Sequence, residues 1–254
     1  MEEIIWFDKG ISADRKGNPY RRIAIRTHFI KPNTDKEALV RQYALPLYQA
    51  NDMLFISAKV MSLCEGCVRM RNQVTPGFPA RFLYRFAGHA RYDENGHQIP
   101  VKGSPYNGTG VHEPYKMQLV IEIVGLPRFL LACFCSAITK PFCVHGVFYK
   151  ICGHNIAGID GFHIGSAFSE YRDMALINPT NCAELCNELE NALGIPCAVM
   201  DSNDIEPILL GKCRDFPLED EDILKAMEGN PSGQGAEMTP LVLLRPCKKE
   251  DSKL

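Results

Sequence analysis

Two aspartates stand where a carboxylate could reach a ligand. Asp160 follows Ala-Gly-Ile in the segment CGHNIAGIDGFH, and Asp201 ends the apolar run IPCAVMD. A third segment, GQGAEMTP at residues 233–240, spaces glycines ahead of another apolar run. Carboxylate oxygens suit Mg²⁺ and Mn²⁺, and glycine lets backbone N–H groups approach phosphate oxygens closely. The pattern predicts a site for a divalent cation and a phosphorylated ligand, with both aspartates on the metal.

These residue types also have ordinary structural roles. An aspartate at a strand end is commonly a helix cap or a turn residue, and glycine loops are commonly simple turns. His163 follows Asp160 by three residues and is a further candidate for contact with the nucleotide or the metal. The other histidines lie in polar, turn-like or apolar surroundings, where surface or core positions are expected.

Strands and helices must position these residues, and hydrophobic patterning predicts both kinds of element. Predicted strands cover 21–30, 52–62, 117–125, 128–138, 146–152, 195–201 and 239–246. Predicted helices cover 34–44, 178–194 and 217–230. Thr34 and Glu37 have capping-box spacing, while Asn181 and Gly194 are start and stop signals for the second helix.

The order of these elements predicts an α+β fold with a mixed β-sheet core and flanking helices. Between 68 and 116 glycine and proline are frequent and Asn-Gly occurs twice, which favours a second subdomain or a long hairpin. We therefore expect a single domain over 1–245, with an inserted subdomain over 68–150. Residues 246–254 are expected to form a flexible tail.

Composition excludes several function classes. The net charge of −2 gives no bulk attraction to nucleic acid, and no apolar run reaches the roughly 18–20 residues that cross a bilayer. The N-terminal segment MEEIIWFDKG lacks the hydrophobic core of a signal peptide. We expect a cytoplasmic protein with neither a nucleic-acid partner nor a membrane partner.

Cysteine usage leaves one alternative open. An odd number of cysteines, 11, cannot all pair within one chain, so free thiols in a reducing compartment are expected. Cys64 and Cys67 form a C-x-x-C pair that could contribute to a zinc or iron–sulfur site. No second pair of that spacing follows.

A basic and aromatic stretch allows three interpretations. It fits a pocket for an anionic substrate, a nucleic-acid surface, or a plain structural hairpin, and the near-neutral chain favours the first over the second. Its members are Arg69, Arg71, Arg81, Arg85 and Arg91 with Phe78, Phe82, Tyr84, Phe86 and Tyr92.

The order of four motifs resembles the coenzyme F-420 γ-glutamyl ligase family, whose members use GTP and a divalent metal. SAKVMSLCEG is similar to the family's serine-rich turn, with Ser57, Ser62, Glu65 and Gly66 in the matching places. IAGID, AVMDSN and GQGAEMTPLVLLR resemble its three later landmarks in the same order. The chain departs from the pattern at Leu63, where the family has lysine.

The resemblance implies a set of site residues. The metal-binding set it implies is Asp160, Asp201, Ser202 and Gln234. The nucleotide-binding set it implies is Ser57, Ala58, Gly233, Gly235 and Glu237. His163 stands where the family has asparagine, and its spacing from Asp160 adds it to this set. Residues 68–150 carry no matching motif, so the resemblance does not identify the acceptor substrate.

The implied activity is a GTP-dependent, Mg²⁺- or Mn²⁺-dependent γ-glutamyl-ligase-like reaction that forms an amide through an acyl phosphate. A small anionic substrate and an amino acid, glutamate, are the expected reactants, and the resemblance implies a homodimer. Two alternatives remain: a non-catalytic nucleotide- or metabolite-binding protein that kept the metal site, and a thiol–metal protein built on Cys64 and Cys67.

Overall fold

The computed structural model divides the chain into two compact units, each described by itself. Unit 1 combines Met1–Cys67 with Asn178–Leu254, and unit 2 is Val68–Ile177. Unit 2 therefore ends 27 residues beyond the segment 68–150 expected from the sequence. The structure describes residues 3–86, 91–92, 98–99, 111, 113–142, 144, 146–153, 156, 158–162, 169–171, 173–202, 207–233 and 237–248.

Unit 1 is built on a six-stranded mixed sheet with the strand order β1-β2-β11-β3-β9-β10. Only the β3–β9 pair is parallel among these neighbours, and the other pairs are antiparallel. The strands are β1 Trp6–Ala13, β2 Pro19–Ile25, β3 Met53–Ser57, β9 Cys197–Asp201, β10 Ile208–Lys212 and β11 Leu241–Pro246. The predicted α+β class with a mixed sheet is confirmed.

Four α-helices lie in the described residues of unit 1. They are α1 Lys36–Tyr43, α2 Ala58–Cys64, α7 Cys182–Leu193 and α8 Asp220–Ala226. Asn181 and Gly194 flank α7 as predicted, and Gly194 has the left-handed backbone (φ +69°) that ends a helix. The predicted capping box at Thr34 is wrong, because Asp35 is the N-cap and accepts hydrogen bonds from the amides of Glu37 and Ala38.

Unit 2 contains a three-stranded sheet of order β4-β8-β7 and a short β5–β6 hairpin. Its strands are β4 Val68–Met70, β5 Arg91–Tyr92, β6 Gln98–Ile99, β7 Asp160–Gly161 and β8 Met174–Leu176. Its helices are α3 Phe78–Leu83, α4 Pro114–Val124, α5 Leu126–Thr139 and α6 Val147–Cys152. A hydrophobic cluster around Phe129, Val120 and Phe162 forms its core.

Three strands expected from the sequence, 117–125, 128–138 and 146–152, are helices. The first two lie within helices of 11 and 14 residues, lengths more typical of helices than of strands. Pro114 begins α4 and Gly125 (φ +82°) ends it, as proline and glycine commonly do. α5 carries apolar residues on several of its own faces. Its sequence therefore lacks the single narrow apolar stripe, with a period of 3.6 residues, that marks an amphipathic helix. The predicted strand 52–62 also stops at Ser57, where α2 takes over.

Unit 2 exposes large apolar side chains on α5. Leu130, Phe134 and Ile138 are 44%, 65% and 50% exposed, and their four-residue spacing places them on one helix face. No single helix in the described ranges is both long and apolar enough to cross a membrane. Taken together, α4 and α5 meet those criteria of length and composition, but they bend by 118° at their junction.

An ion pair links β11 to the residue just before β3, and its carboxylate is fully buried. Arg245 donates from Nε and Nη2 to the two carboxylate oxygens of Asp52, at 2.9 and 2.7 Å. The Asp52 side chain is fully buried, and it also accepts a hydrogen bond from the amide of Gln49. The hydrogen bonds to Asp52 raise the pKa of Arg245.

We predict that Arg245→Met lowers the free energy of unfolding by about 3–5 kcal/mol, because it leaves a buried carboxylate without its cation. The matched control is Arg41→Met, which removes an exposed pair with Glu37 and should cost at most about 0.5 kcal/mol. Urea unfolding of both variants checks this. Equal losses in the two variants would contradict the assigned role of the buried pair.

Candidate functional site

Three separate chain segments converge at one edge of the unit 1 sheet. β3 and β9 run parallel with Ser57 opposite Met200, so their carboxyl ends lie side by side. β11 runs antiparallel to β3 with Leu241 opposite Ile56, which places its preceding loop at the same edge. The amide of Ser57 donates to the carbonyl of Pro240 at 2.9 Å. The structure therefore brings together three of the four sequence landmarks.

The β3 end presents backbone and a hydroxyl at this edge. Ser57 is half-buried and precedes α2, and its hydroxyl does not cap the described helix. Ala58 is buried, at 1% exposure, so only its backbone could face a ligand. Leu63, which stands where the family that the sequence resembles has lysine, is also buried. A phosphate contact from that position is excluded by its apolar side chain.

The β9 end presents a carboxylate at the same edge of the sheet. The first four residues of β9 are fully buried, and the strand then ends in half-buried Asp201. Asp201 pairs with Ile208 on β10, and half-buried Ser202 follows it. The buried strand therefore ends on a carboxylate at the sheet edge, as the sequence predicted for this strand.

The loop before β11 is closed by its own hydrogen bonds. The amide of Gly233 donates to the carbonyl of Asn230 at 2.9 Å, and the hydroxyl of Thr239 donates to the carbonyl of Ser232 at 2.7 Å. Gly233 has φ +67°, and a Cβ there would collide with the carboxylate of Glu237. The other two predicted loop residues, Gln234 and Gly235, lie outside the described residues.

Glu237 forms an ion pair that sequence reasoning missed. The ammonium of Lys9 on β1 lies 2.5 Å from the Glu237 carboxylate, although 228 residues separate them along the chain. Sequence spacing carries no signal for such a contact, because it depends on how β1 pairs with β2. The ammonium group of Lys9 therefore lies beside this loop, although no sequence motif indicated it.

Asp160 belongs to unit 2. It lies in β7 opposite Leu176, and one carboxylate oxygen accepts the hydrogen bond of the Gly161 amide at 2.9 Å. Gly161 has φ +117° and packs directly on the backbone of Met174, where a Cβ would collide. A metal site shared by Asp160 and Asp201 remains a prediction, and His163 lies outside the described residues.

The described part of the chain gives little support to the alternative of a thiol–metal protein built on Cys64 and Cys67. Burial raises the pKa of Cys64 to about 11, so in the metal-free protein its thiol is protonated and a poor nucleophile at neutral pH. Among the described residues no group of three or more His, Cys, Asp or Glu side chains is arranged to hold a metal ion. A cation at the sheet edge would therefore need oxygen atoms of its bound substrate as further ligands, as Mg²⁺ commonly does.

Comparison with known proteins adds no family assignment. No family model and no curated protein matches the chain. The resemblance to the γ-glutamyl ligases therefore rests on the four sequence landmarks.

We predict that Gly161→Ala destabilises the protein more than Gly153→Ala does. Both glycines have left-handed backbone, but only the Gly161 methyl group would collide with neighbouring backbone; no described atom lies within 4 Å of the corresponding position at Gly153. Thermal unfolding of the two variants separates the collision from the shared backbone strain. Equal shifts of the melting temperature would show that the close β7–β8 approach contributes nothing.

Proposed function

We propose that the edge formed by β3, β9 and the loop before β11 binds a nucleotide with a divalent metal ion in a ligase that forms amide bonds. The convergence of Ser57, Asp201 and the described residues just before β11 (237–240) at one sheet edge carries this proposal. Asp201, Ser202 and Glu237 supply only oxygen donors, which suit Mg²⁺ or Mn²⁺. GTP is the proposed co-substrate, by resemblance.

The proposed reaction has two steps. The terminal phosphoryl group of the nucleotide passes to a substrate carboxylate, which breaks the bond to the nucleoside diphosphate and forms an acyl phosphate. The amine of an incoming amino acid, glutamate by resemblance, then attacks the acyl carbon. The amide bond forms, inorganic phosphate leaves, and the amine releases a proton.

The protein's part in this chemistry is to position the reactants. Asp201 would hold the metal ion, while the backbone at Ser57 and Ala58 lies along the nucleotide; Asp160 belongs to the metal-binding set by resemblance alone. A bound divalent cation neutralises charge on the transferring phosphoryl group. No nucleophilic side chain is required, since the substrate carboxylate and the amine are the nucleophiles.

Unit 2 by itself is more basic than the chain as a whole. Its sequence carries eleven Lys and Arg residues against seven Asp and Glu, although the whole chain is slightly acidic. Within it, Arg71 is paired with Glu113 and stacks on Tyr115, with 4.3 Å between the guanidinium carbon and the ring centroid. An excess of cationic side chains favours the binding of small anionic substrates.

A non-catalytic binding protein with the same metal site is the alternative function. Release of phosphate in the presence of substrates distinguishes the ligase from this binding protein.

We predict that Asp201→Asn lowers metal-dependent nucleotide affinity at least about tenfold, because the amide cannot replace the charge of the carboxylate on the metal. Asp160→Asn should have a similar effect. Exposed Asp215→Asn in unit 1 is the matched control and should bind like the wild type. Calorimetric titration of GTP and ATP with and without Mn²⁺ measures all three variants. Unchanged affinity in either site variant would remove that residue from the proposed site.

The proposed cytoplasmic location and homodimer each have one supporting observation. The described cysteines are all free thiols, as a reducing compartment permits. The exposed apolar face of α5, Leu130, Phe134 and Ile138, provides a surface that a second copy of unit 2 could cover. These three side chains are four residues apart, a spacing that forms one of the side-chain rows through which helices pack.

We predict that the wild type has twice the monomer mass of 28.4 kDa in solution, and that the double variant Leu130→Ser and Phe134→Ser is a monomer. Light scattering after gel filtration measures the mass. Phe7→Ser on β1 removes another exposed aromatic residue and should leave the dimer intact. A double variant that stays dimeric would place the interface elsewhere.

A further inference from the structure

β1 contains an irregularity next to the proposed nucleotide loop. Asp8 pairs with Ile23 and Ile11 pairs with Arg21, so two residues of β1, Lys9 and Gly10, oppose one residue of β2. Gly10 has φ +78°, and its amide donates to the Asp8 carboxylate at 2.9 Å. This arrangement is a β-bulge, a feature that redirects side chains and is common beside functional sites.

The bulge is tied to the loop at two points. The Lys9 ammonium contacts the Glu237 carboxylate at 2.5 Å, and the Lys9 carbonyl accepts a hydrogen bond from Nη2 of Arg22 at 2.9 Å. Nη1 of the same arginine donates to the carbonyl of Glu228 at 2.6 Å. Arg22 therefore donates hydrogen bonds to two backbone carbonyls, whereas the ammonium of Lys9 contacts the carboxylate of a loop residue, Glu237.

The carboxylate that Lys9 contacts is held against glycine backbone. It lies directly over Gly233, at a position where any side chain would displace it. Lys9 and Glu237 are both partly exposed, at 25% and 39% of their side chains, so a ligand can compete for the ammonium. The carboxylate of Glu237 therefore lies between the ammonium of Lys9 and the backbone of Gly233.

Resting on the proposed function, we propose that Lys9 binds the β- or γ-phosphate of the nucleotide and that Glu237 holds its ammonium in place until the nucleotide enters. The phosphate takes the place of the Glu237 carboxylate beside Lys9. The released carboxylate is then available to the metal ion. Lys9 is thus a specificity residue for di- and triphosphates, supplied by β1 and outside every motif.

The test compares affinities for GTP and GMP, each with Mn²⁺, measured by calorimetry. Wild type should prefer GTP, and Lys9→Met should lower the GTP affinity about tenfold or more while leaving the GMP affinity nearly unchanged. Lys9→Arg keeps the charge and should preserve most of the preference. Lys59→Met is the matched control, because Lys59 is an exposed lysine in the first turn of α2, next to the same edge.

The possible outcomes separate this inference from the proposed function. Failure of the wild type to bind either nucleotide would reject the proposed function itself. Wild-type binding with an unchanged GTP preference in Lys9→Met would reject the role of Lys9 alone. Equal losses for GTP and GMP would show that Lys9 merely supports the loop, which also overturns the inference.

Discussion

The parallel pairing of β3 with β9 is the constraint on which the rest of the structure depends. Parallel neighbours need a long crossover connection, and here that connection contains all of unit 2 together with α7. Because parallel strands end at the same edge, the backbones of Ser57 and Asp201 lie at neighbouring positions although the two residues are 144 positions apart in the sequence. Without this pairing the hydroxyl and the carboxylate would lie at opposite ends of the sheet.

β11 completes the arrangement by lying between β2 and β3. Its antiparallel direction places its amino-terminal loop at the edge where β3 ends. Its other end is fixed by the pair between Arg245 and buried Asp52, which precedes β3. One end of the central strands is therefore anchored by a buried ion pair, while the other end presents polar groups and a glycine loop. Rigid strands with a polar edge are suited to holding a ligand without large rearrangement.

Local signals in the sequence were sufficient for part of this fold. The C-terminal end of α7 was predictable because Gly194 readily takes the left-handed backbone that ends a helix, and Asn181 lies at the predicted start although its side chain makes no capping hydrogen bond. The strand that ends at Asp201 was predictable because a short apolar run stops at a charge. Helices α4 and α5 were missed because apolar residues on several sides obscure the helical period. The contact of Lys9 with Glu237 was out of reach, since strand pairing and a bulge bring together residues that are 228 positions apart.

The central claim is that the β3–β9 edge holds a metal ion with a nucleotide. Crystals grown with Mn²⁺ and a non-hydrolysable GTP analogue, measured at the manganese absorption edge, test it most directly. The account predicts an anomalous peak within coordination distance of the Asp201 carboxylate, with nucleotide density along Ser57 and Ala58. Ordered nucleotide or manganese elsewhere, with nothing beside Asp201, would contradict it.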